Sequence, residues 1–274
     1  MTTGHRKNPK NTVKEVRKPF LKGSPIDSNT PRSSLVFFGM MLIIIFVSFI
    51  ACTSAAFGNH ILRVILNSLV VLIVLYILYN KGANHGADAV SRGEILFQKK
   101  ENGQEFSDSE HKVCYHPLKG FLTGLIGSVP FLIVAVLLAL NTQEVMTGSG
   151  TIPSWLQTYT RRADVGNALV QYMNPEGMTF TEYLRVAVRI MILPFVNIAG
   201  SSNKAGLLLV ERLSPLILLL PAASYGFGYM TGKKIRTRIH TAISENNRKR
   251  INREKKARMK RMGADFGRKP EQLN

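Results

Sequence analysis

Acidic residues and cysteines are scarce in this chain of 274 residues. Only 17 Asp and Glu stand against 36 Lys and Arg, which gives a formal net charge of +19. The two cysteines are Cys52, in an apolar run, and Cys114, in a polar stretch, so they do not suggest a disulfide framework. These shortages exclude an acidic protein and a disulfide-stabilised scaffold, and they leave a large positive charge whose position along the chain is informative.

Recognisable catalytic motifs are also missing, since the sequence has no Gly-rich phosphate loop, HExxH pair, nucleophile elbow or CxxC pair. We therefore expect neither enzymatic activity nor a cofactor. His111, Cys114 and His116 are close in sequence and are residue types that bind zinc. A structural zinc site usually takes four ligands in two pairs, and no second pair is present. The favoured interpretation is a loop with incidental His and Cys, and a metal site at these three residues is the alternative.

Charge is absent from four long apolar stretches, except at their edges. They cover residues 35–57, 61–79, 118–140 and 213–230. A helix of about 20 apolar residues crosses the ~30 Å hydrocarbon core of a bilayer, and it satisfies its backbone hydrogen bonds internally. The sequence therefore predicts an all-α integral membrane protein with four transmembrane helices.

The positive charge is concentrated at the two ends of the chain, in an arm over residues 1–34 and a tail over residues 231–274. The positive-inside rule places both on the cytoplasmic side of the cell membrane, which requires an even number of spans. The arm has few aromatic residues and is predicted to be disordered. Residues 80–117, where acidic and basic residues are mixed, are predicted to form a cytoplasmic loop with a short helix over residues 91–100 and a turn at Asn102 and Gly103.

The remaining apolar stretch, residues 180–199, lies within a predicted outer segment over residues 141–212. It contains Arg185 and Arg189 and is interrupted by Pro194. If it crossed the membrane, the basic tail would be outside. We therefore predict an amphipathic interfacial or re-entrant helix whose arginines reach toward water. The alternative is a protein with five spans and an external tail.

Two pairs of glycines have the GxxxG spacing that allows transmembrane helices to approach closely. Gly120 and Gly124 begin the third span, and Gly228 and Gly232 end the fourth. If the topology is right, both pairs lie at the same depth. We predict that the third and fourth spans pack there, either within one chain or between protomers or other membrane subunits.

The tail is the most distinctive feature of the sequence. Ile235, Ile239, Ala242 and Ile243 share one helical face, which predicts that the last span continues as a basic amphipathic helix at the membrane surface. Cations beside a membrane each gain ~1 kcal/mol from anionic lipid. The candidate contact residues are Lys233, Lys234, Arg236, Arg238, Arg248, Lys249, Arg250, Arg253, Lys255, Lys256, Arg258, Lys260 and Arg261.

These features favour a membrane accessory or scaffold subunit with a tail that binds anionic lipid headgroups. One alternative is docking to RNA or a ribosome, because the same cations bind phosphates; no DNA binding is predicted. Another is a small transporter or permease subunit that works as an oligomer or with a separate ATPase. In that case Glu211, Arg212 or Asn67 is expected to line an aqueous path.

Overall fold

The computed structural model describes residues 15–54, 59–142, 158–159, 162, 165–166, 180–200 and 203–266, with side chains of the last helix described through Met259. The helices in these ranges are α1 (Thr30–Ser54), α2 (His60–Glu101), α3 (Asp108–Val113), α4 (Lys119–Asn141), α5 (Phe180–Met191), α6 (Leu193–Ala199) and α7 (Lys204–Phe266). No strand occurs in the part of the chain described. Most of the predicted outer segment, from residue 143 to 179, lies outside it, as do residues 1–14 and 267–274.

Four helices, α1, α2, α4 and α7, are long and apolar enough to span a membrane. Each of them coincides with most of one predicted run, so the all-α class and the number of candidate spans are confirmed. Many large apolar side chains on these helices face outward, including Ile43 (66% exposed), Phe46 (65%) and Leu72 (66%). Exposed apolar faces of this extent are expected where lipid, rather than water, surrounds the protein.

The second helix is longer than its apolar run, because α2 continues to Glu101. The prediction of a loop is therefore wrong for residues 80–90, and the short helix predicted over residues 91–100 is the end of this same helix. This part of the sequence contains no proline, and its small and apolar side chains Ala83, Val90 and Leu96 are buried. Tertiary packing of that face maintains the helix where the hydropathy of the sequence no longer indicates it.

Glycines bring α2 and α7 into backbone contact. A Cβ atom added at Gly86 would collide with the carbonyl oxygen of Tyr229, and one added at Gly232 would collide with the backbone of Gly86. A Cβ atom at Gly228 would meet the carbonyl oxygen of Tyr79. Gly228 and Gly232 thus face α2 rather than α4, which corrects the predicted partner of this pair.

The other predicted pair, on α4, does face α7. A Cβ atom at Gly120 would collide with the Tyr229 side chain, and one at Gly124 would lie 3.1 Å from the Cα atom of Ala222. The third and fourth candidate spans therefore pack together within one chain. Their contact is between glycines on α4 and larger residues on α7, rather than between two glycine faces.

The stretch over residues 180–199 forms two short helices, α5 and α6, with Ile192 between them. Pro194 lies in the first turn of α6, where its missing N–H is tolerated. The α5 helix buries Leu184 and Val188 against the apolar core, while Arg185 and Arg189 bind Glu211 of α7. The prediction that these arginines reach toward water is wrong for Arg185, whose side chain is 11% exposed; the side chain of Arg189 is 37% exposed and pairs with the same buried carboxylate.

Residues 15–29 cross one end of the bundle as irregular chain with a bend and a turn, and residues 30–34 begin α1, which corrects the prediction of disorder for residues 15–34. The backbone N–H groups of Leu21 and Gly23 donate to the carbonyl oxygens of Gly93 (3.1 Å) and Tyr115 (3.0 Å). The N–H of Val16 donates to Oγ1 of Thr241 on α7 (3.2 Å). Residues 15–29 and the basic part of α7 are therefore at the same end of the bundle, here named the basic end.

Candidate functional site

Aromatic side chains hold the arm to the basic end. The rings of Tyr115 and Tyr229 stack with their centroids 5.4 Å apart, and Phe20 of the arm meets Tyr115 edge-on at 6.0 Å. The ammonium of Lys233 lies 4.6 Å from the centroid of the Tyr115 ring, a cation–π contact. Burial raises the pKa of Tyr115, so its phenol stays neutral beside this cation.

A buried ion pair fixes the end of the arm. Nζ of Lys119 donates to Oδ2 of Asp27 over 2.6 Å, and the two side chains are 6% and 1% exposed. Lys119 also donates to the carbonyl oxygens of Lys112 (3.2 Å) and Val113 (3.1 Å). Burial alone would raise the pKa of Asp27, but hydrogen bonds from Lys119 and Thr30 outweigh it and hold the pKa below its ordinary value.

This ion pair gives the attachment of the arm a predictable pH dependence. Because the pKa of Asp27 is lower in the folded state than its ordinary value of 3.8, its stabilising contribution is present above that value. The contribution is lost as the pH falls through the lowered pKa. At neutral pH, Asp27→Asn is expected to speed hydrogen exchange of the arm by about tenfold or more, since a charged hydrogen bond contributes about 1.5–3 kcal/mol.

Hydrogen exchange of residues 16–24, read by mass spectrometry, checks this expectation. The difference in exchange rate between Asp27→Asn and the unchanged protein should be present at pH 7 and smaller at pH 3. The substitution Glu15→Gln is the control, because that carboxylate is exposed and its partner among the residues described is Arg17 of the arm itself. Equal exchange in Asp27→Asn and the unchanged protein at pH 7 would contradict the role of the ion pair.

A polar cleft of about 480 Å³ lies beside this ion pair at the basic end, lined mostly by residues at the start of α1 and in the second half of α2. Its volume is within the range of small-molecule sites. On its floor, the hydroxyl of Tyr225 and Nδ1 of His85 are 2.6 Å apart. The residues that line it are Asp27, Asn29, Thr30, Arg32, Ser33, Val36, Lys81, Asn84, His85, Asp88, Ala89, Arg92, Val113, Lys119, Thr123, Tyr225 and Tyr229.

The charge of this cleft is positive. Lys119 is neutralised by Asp27, whereas Arg32, Lys81 and Arg92 are exposed and form no ion pair with any residue the structure describes. Asp88 is the other carboxylate in the lining. The arrangement suits a small anion, since guanidinium and ammonium groups bind phosphate oxygens through charged hydrogen bonds.

The second cationic feature is the end of α7, residues 245–266, here named the cationic helix. It has nine Lys and Arg against three acidic residues. All its side chains described from Asn246 to Met259 are exposed, and the ion pair among them is within the helix, between Arg250 and Glu254 at 3.5 Å. Of the predicted contact residues, Lys260 and Arg261 lie in this helix with side chains outside the described set.

The other predicted tail residues belong to a different surface. Arg236 Nε donates to Oε2 of Glu94 over 2.9 Å, and Nε2 of His240 lies 2.8 Å from Oε1 of the same carboxylate. Glu94 is 6% exposed, so this cluster joins α7 to α2. Lys233 is engaged by aromatic rings, whereas Lys234 and Arg238 are exposed. The thirteen candidate cations therefore do not form one continuous surface.

The predicted apolar face of the tail is also divided by the packing. Ile235 is half-buried, whereas Ile239 and Ile243 are 39% and 52% exposed. Within the predicted tail, Gly232 and the residues that bind Glu94 contact α2. The sequence did not reveal Glu94 as their partner, because its segment looked like a loop of mixed charge.

The three residues predicted for a transport path have other surroundings. Glu211 is paired with two arginines, and Arg212 is exposed. Asn67 is fully buried, and its Oδ1 accepts a hydrogen bond from Nδ2 of Asn197 at 3.2 Å. Asn197 also donates to the carbonyl oxygen of Cys52 at 3.1 Å, so these amides join three helices. None of the three predicted residues lines the polar cleft.

The residues considered for zinc have separate local contacts. His111 stacks on Phe106, Cys114 donates its thiol to the carbonyl oxygen of Glu110 at 3.7 Å, and Nδ1 of His116 accepts from the N–H of Leu118. Burial raises the pKa of Cys114, which disfavours a thiolate. Among the residues described, no three His, Cys, Asp or Glu side chains are grouped closely enough to hold a metal ion.

The site therefore has two separate parts at the basic end: a positive cleft between α1 and α2, and a cationic helix that continues beyond the bundle. Comparison with protein-family models, curated proteins and solved structures finds no match for the chain.

Proposed function

We propose that this protein is a membrane scaffold subunit whose four spanning helices hold the cationic helix outside the bilayer, where it binds the phosphate backbone of RNA. The observation that carries the proposal is the continuity of α7. One helix runs from Lys204 through the apolar span to Phe266. The cationic helix is therefore a direct extension of a membrane anchor rather than a tail with its own orientation.

Continuity determines where the positive charge is located. At 1.5 Å per residue, the cationic helix is about 33 Å long. Long helices curve only gently unless a proline, a glycine pair or a bulge kinks them, and the prolines of α7, Pro215 and Pro221, lie in its apolar part. The cationic helix thus continues past the bundle, where its side chains from Asn246 to Met259 are exposed. This favours a partner in solution over anionic lipid.

The distribution of charge around the helix supports the same choice. Successive residues are about 100° apart, so Arg248, Lys249 and Arg250 point to three different sides. Lys255, Lys256 and Arg258 repeat this distribution one to two turns later. A helix that lies in the membrane interface needs a continuous apolar face. Ile251, Met259, Met262 and Phe266 share one side of this segment by their spacing, but Arg248 and Lys255 fall on the same side and interrupt it. Cations on every side suit a polyanion that surrounds or lies along the helix.

The proposed orientation has both termini in the cytoplasm of the cell, where the positive-inside rule places basic flanks. The hydrogen bond between Val16 and Thr241 supports it, because the arm and α7 then leave the membrane on the same side. Cytoplasmic RNA, including the RNA of a ribosome at the membrane, is accessible from that position. The proposal assigns no catalytic step to the protein.

Binding of the full-length protein in neutral nanodiscs to a labelled RNA hairpin tests the proposal. Six to ten phosphate contacts predict an affinity loss of about 10³-fold or more between 50 and 200 mM salt. A variant with Gln at Arg248, Lys249, Arg250, Arg253, Lys255 and Lys256 is expected to lose most of this affinity and its salt dependence. The matched control exchanges Arg for Lys and Lys for Arg at the same positions, which keeps the charge and should keep binding.

The same preparations are then tested with vesicles of anionic and of neutral phospholipid. If anionic vesicles bind the cationic helix and RNA does not compete, the helix is a lipid contact and the RNA proposal is wrong. Unchanged RNA binding by the Gln variant would also overturn it, because the affinity would then come from another surface.

A further inference from the structure

We propose that the polar cleft binds the phosphate of an anionic phospholipid from the adjacent leaflet, with an acyl chain lying along the seam between α1 and α2. The ligand class follows from charge, from depth in the membrane and from the shape of the seam. This inference is independent of the RNA proposal, because it concerns different residues and a different ligand.

Charge indicates an anion. Arg32 on α1 and Lys81 and Arg92 on α2 face the cleft from both sides, and none has an ion-pair partner among the residues described. Asn29 and Asn84, also in the lining, add neutral hydrogen-bond donors. Three cations and one remaining carboxylate, Asp88, leave a surplus that one phosphate diester reduces.

Depth indicates a lipid headgroup. Lys81 is two residues beyond the apolar run of α2 (residues 61–79), and Arg32 is three residues before the apolar run of α1 (residues 35–57). Both cations are therefore at the boundary between the apolar span and the polar end of the bundle. In a bilayer this is where phosphates of lipid headgroups are found and where cations gain about 1 kcal/mol each from anionic lipid.

The seam provides for the apolar part of the ligand. Toward the other end of the bundle, a smaller apolar pocket lies between the same two helices, floored by α6 and α7. Its lining includes Ile44 and Ser48 of α1 and Val74 of α2. Eleven residues separate Ser33 in the cleft from Ile44 in this pocket, which is about 16 Å along the helix. That length accommodates most of an extended acyl chain.

The order of the lining residues along α1 and α2 indicates that the cleft and the apolar pocket follow one another along the same interface between these two helices. On α1 the polar lining ends at Val36 and the apolar lining begins at Met41; on α2, which runs in the opposite direction, Lys81 and Leu75 mark the same transition. A free inorganic anion would use the polar part alone. A phospholipid uses both, which is why the structure favours it.

The test has two measurements on the purified full-length protein. Mass spectrometry measures the phospholipid that is retained after detergent washing, and an exchange assay compares the binding of labelled phosphatidylglycerol with that of phosphatidylcholine. The variant Lys81→Gln with Arg92→Gln is expected to retain at least about tenfold less anionic lipid. The control Lys99→Gln with Lys100→Gln removes the same charge from the same helix outside the cleft and should leave retention unchanged.

A second variant, Ser48→Phe, fills the apolar pocket without changing any charge. It is expected to reduce lipid retention, whereas 50 mM inorganic phosphate should not displace lipid from the unchanged protein. Displacement by phosphate, together with full retention in Ser48→Phe, would show a soluble-anion site and overturn the lipid proposal. The unfolding temperature shows whether the Lys81→Gln, Arg92→Gln variant is folded. If this folded variant retains as much anionic lipid as the unchanged protein, the cleft is not the binding site.

Discussion

Glu211→Gln is expected to lower the free energy of unfolding by about 3–5 kcal/mol, which is the usual cost of removing one partner from a buried ion pair. Glu211 is 2% exposed and binds two guanidinium groups. Nε of Arg185 lies 3.1 Å from Oε2, and Nη2 of Arg189 lies 2.6 Å from Oε1. Glutamine keeps the shape but removes the charge, so both cations lose the carboxylate that compensates their desolvation.

Thermal unfolding of the purified protein in detergent measures this loss. Glu254→Gln is the control, because Glu254 forms an exposed pair with Arg250 one turn away on α7 and should matter by less than about 1 kcal/mol. Arg189→Gln is expected to cost less than Arg185→Gln, because the side chain of Arg189 is 37% exposed and that of Arg185 is 11% exposed. An unfolding temperature of Glu211→Gln equal to that of the control would contradict this account.

The same ion cluster explains why hydropathy could locate the spans but not the position of α5. The four spans follow from the length of uncharged apolar runs, a local property that needs no knowledge of partners. From the sequence, Arg185 and Arg189 indicated an amphipathic helix with one face exposed to water. Their partner is 22 residues further along the chain from Arg189, and only folding brings Glu211 next to them.

The candidate site shows the same limit. The cations of the tail were evident from the sequence, but their division into a packed group that includes Arg236 and an exposed helix after Ser244 depends on the partner Glu94. The cleft was not predicted, because Arg32, Lys81 and Arg92 belong to separate segments that looked like arm and loop. The extension of α2 beyond Tyr79 brings them together, and it results from packing against α7 that hydropathy does not report.

Glycine contacts between α2 and α7 lead to the other large expected effect. Gly86→Val is expected to destabilise the protein by at least the 1–3 kcal/mol typical of overpacking and to reduce the yield of folded protein strongly. A Cβ atom at this position collides with the carbonyl oxygen of Tyr229, which is backbone and has no rotamer to change. The clash can be relieved only if α2 and α7 separate, and this would also open the Glu94 cluster and the floor of the cleft.

Gly39→Val on α1 is the matched control, because no heavy atom lies within 4 Å of a Cβ atom built there and valine suits a helix at least as well as glycine. Detergent-solubilised yield, monodispersity in size-exclusion chromatography and the unfolding temperature are compared for the two variants. We expect Gly39→Val to resemble the unchanged protein and Gly86→Val to be unstable or aggregated. Equal stability of the two would mean that α2 and α7 do not approach through Gly86, and the cleft that depends on their packing would lose its structural basis.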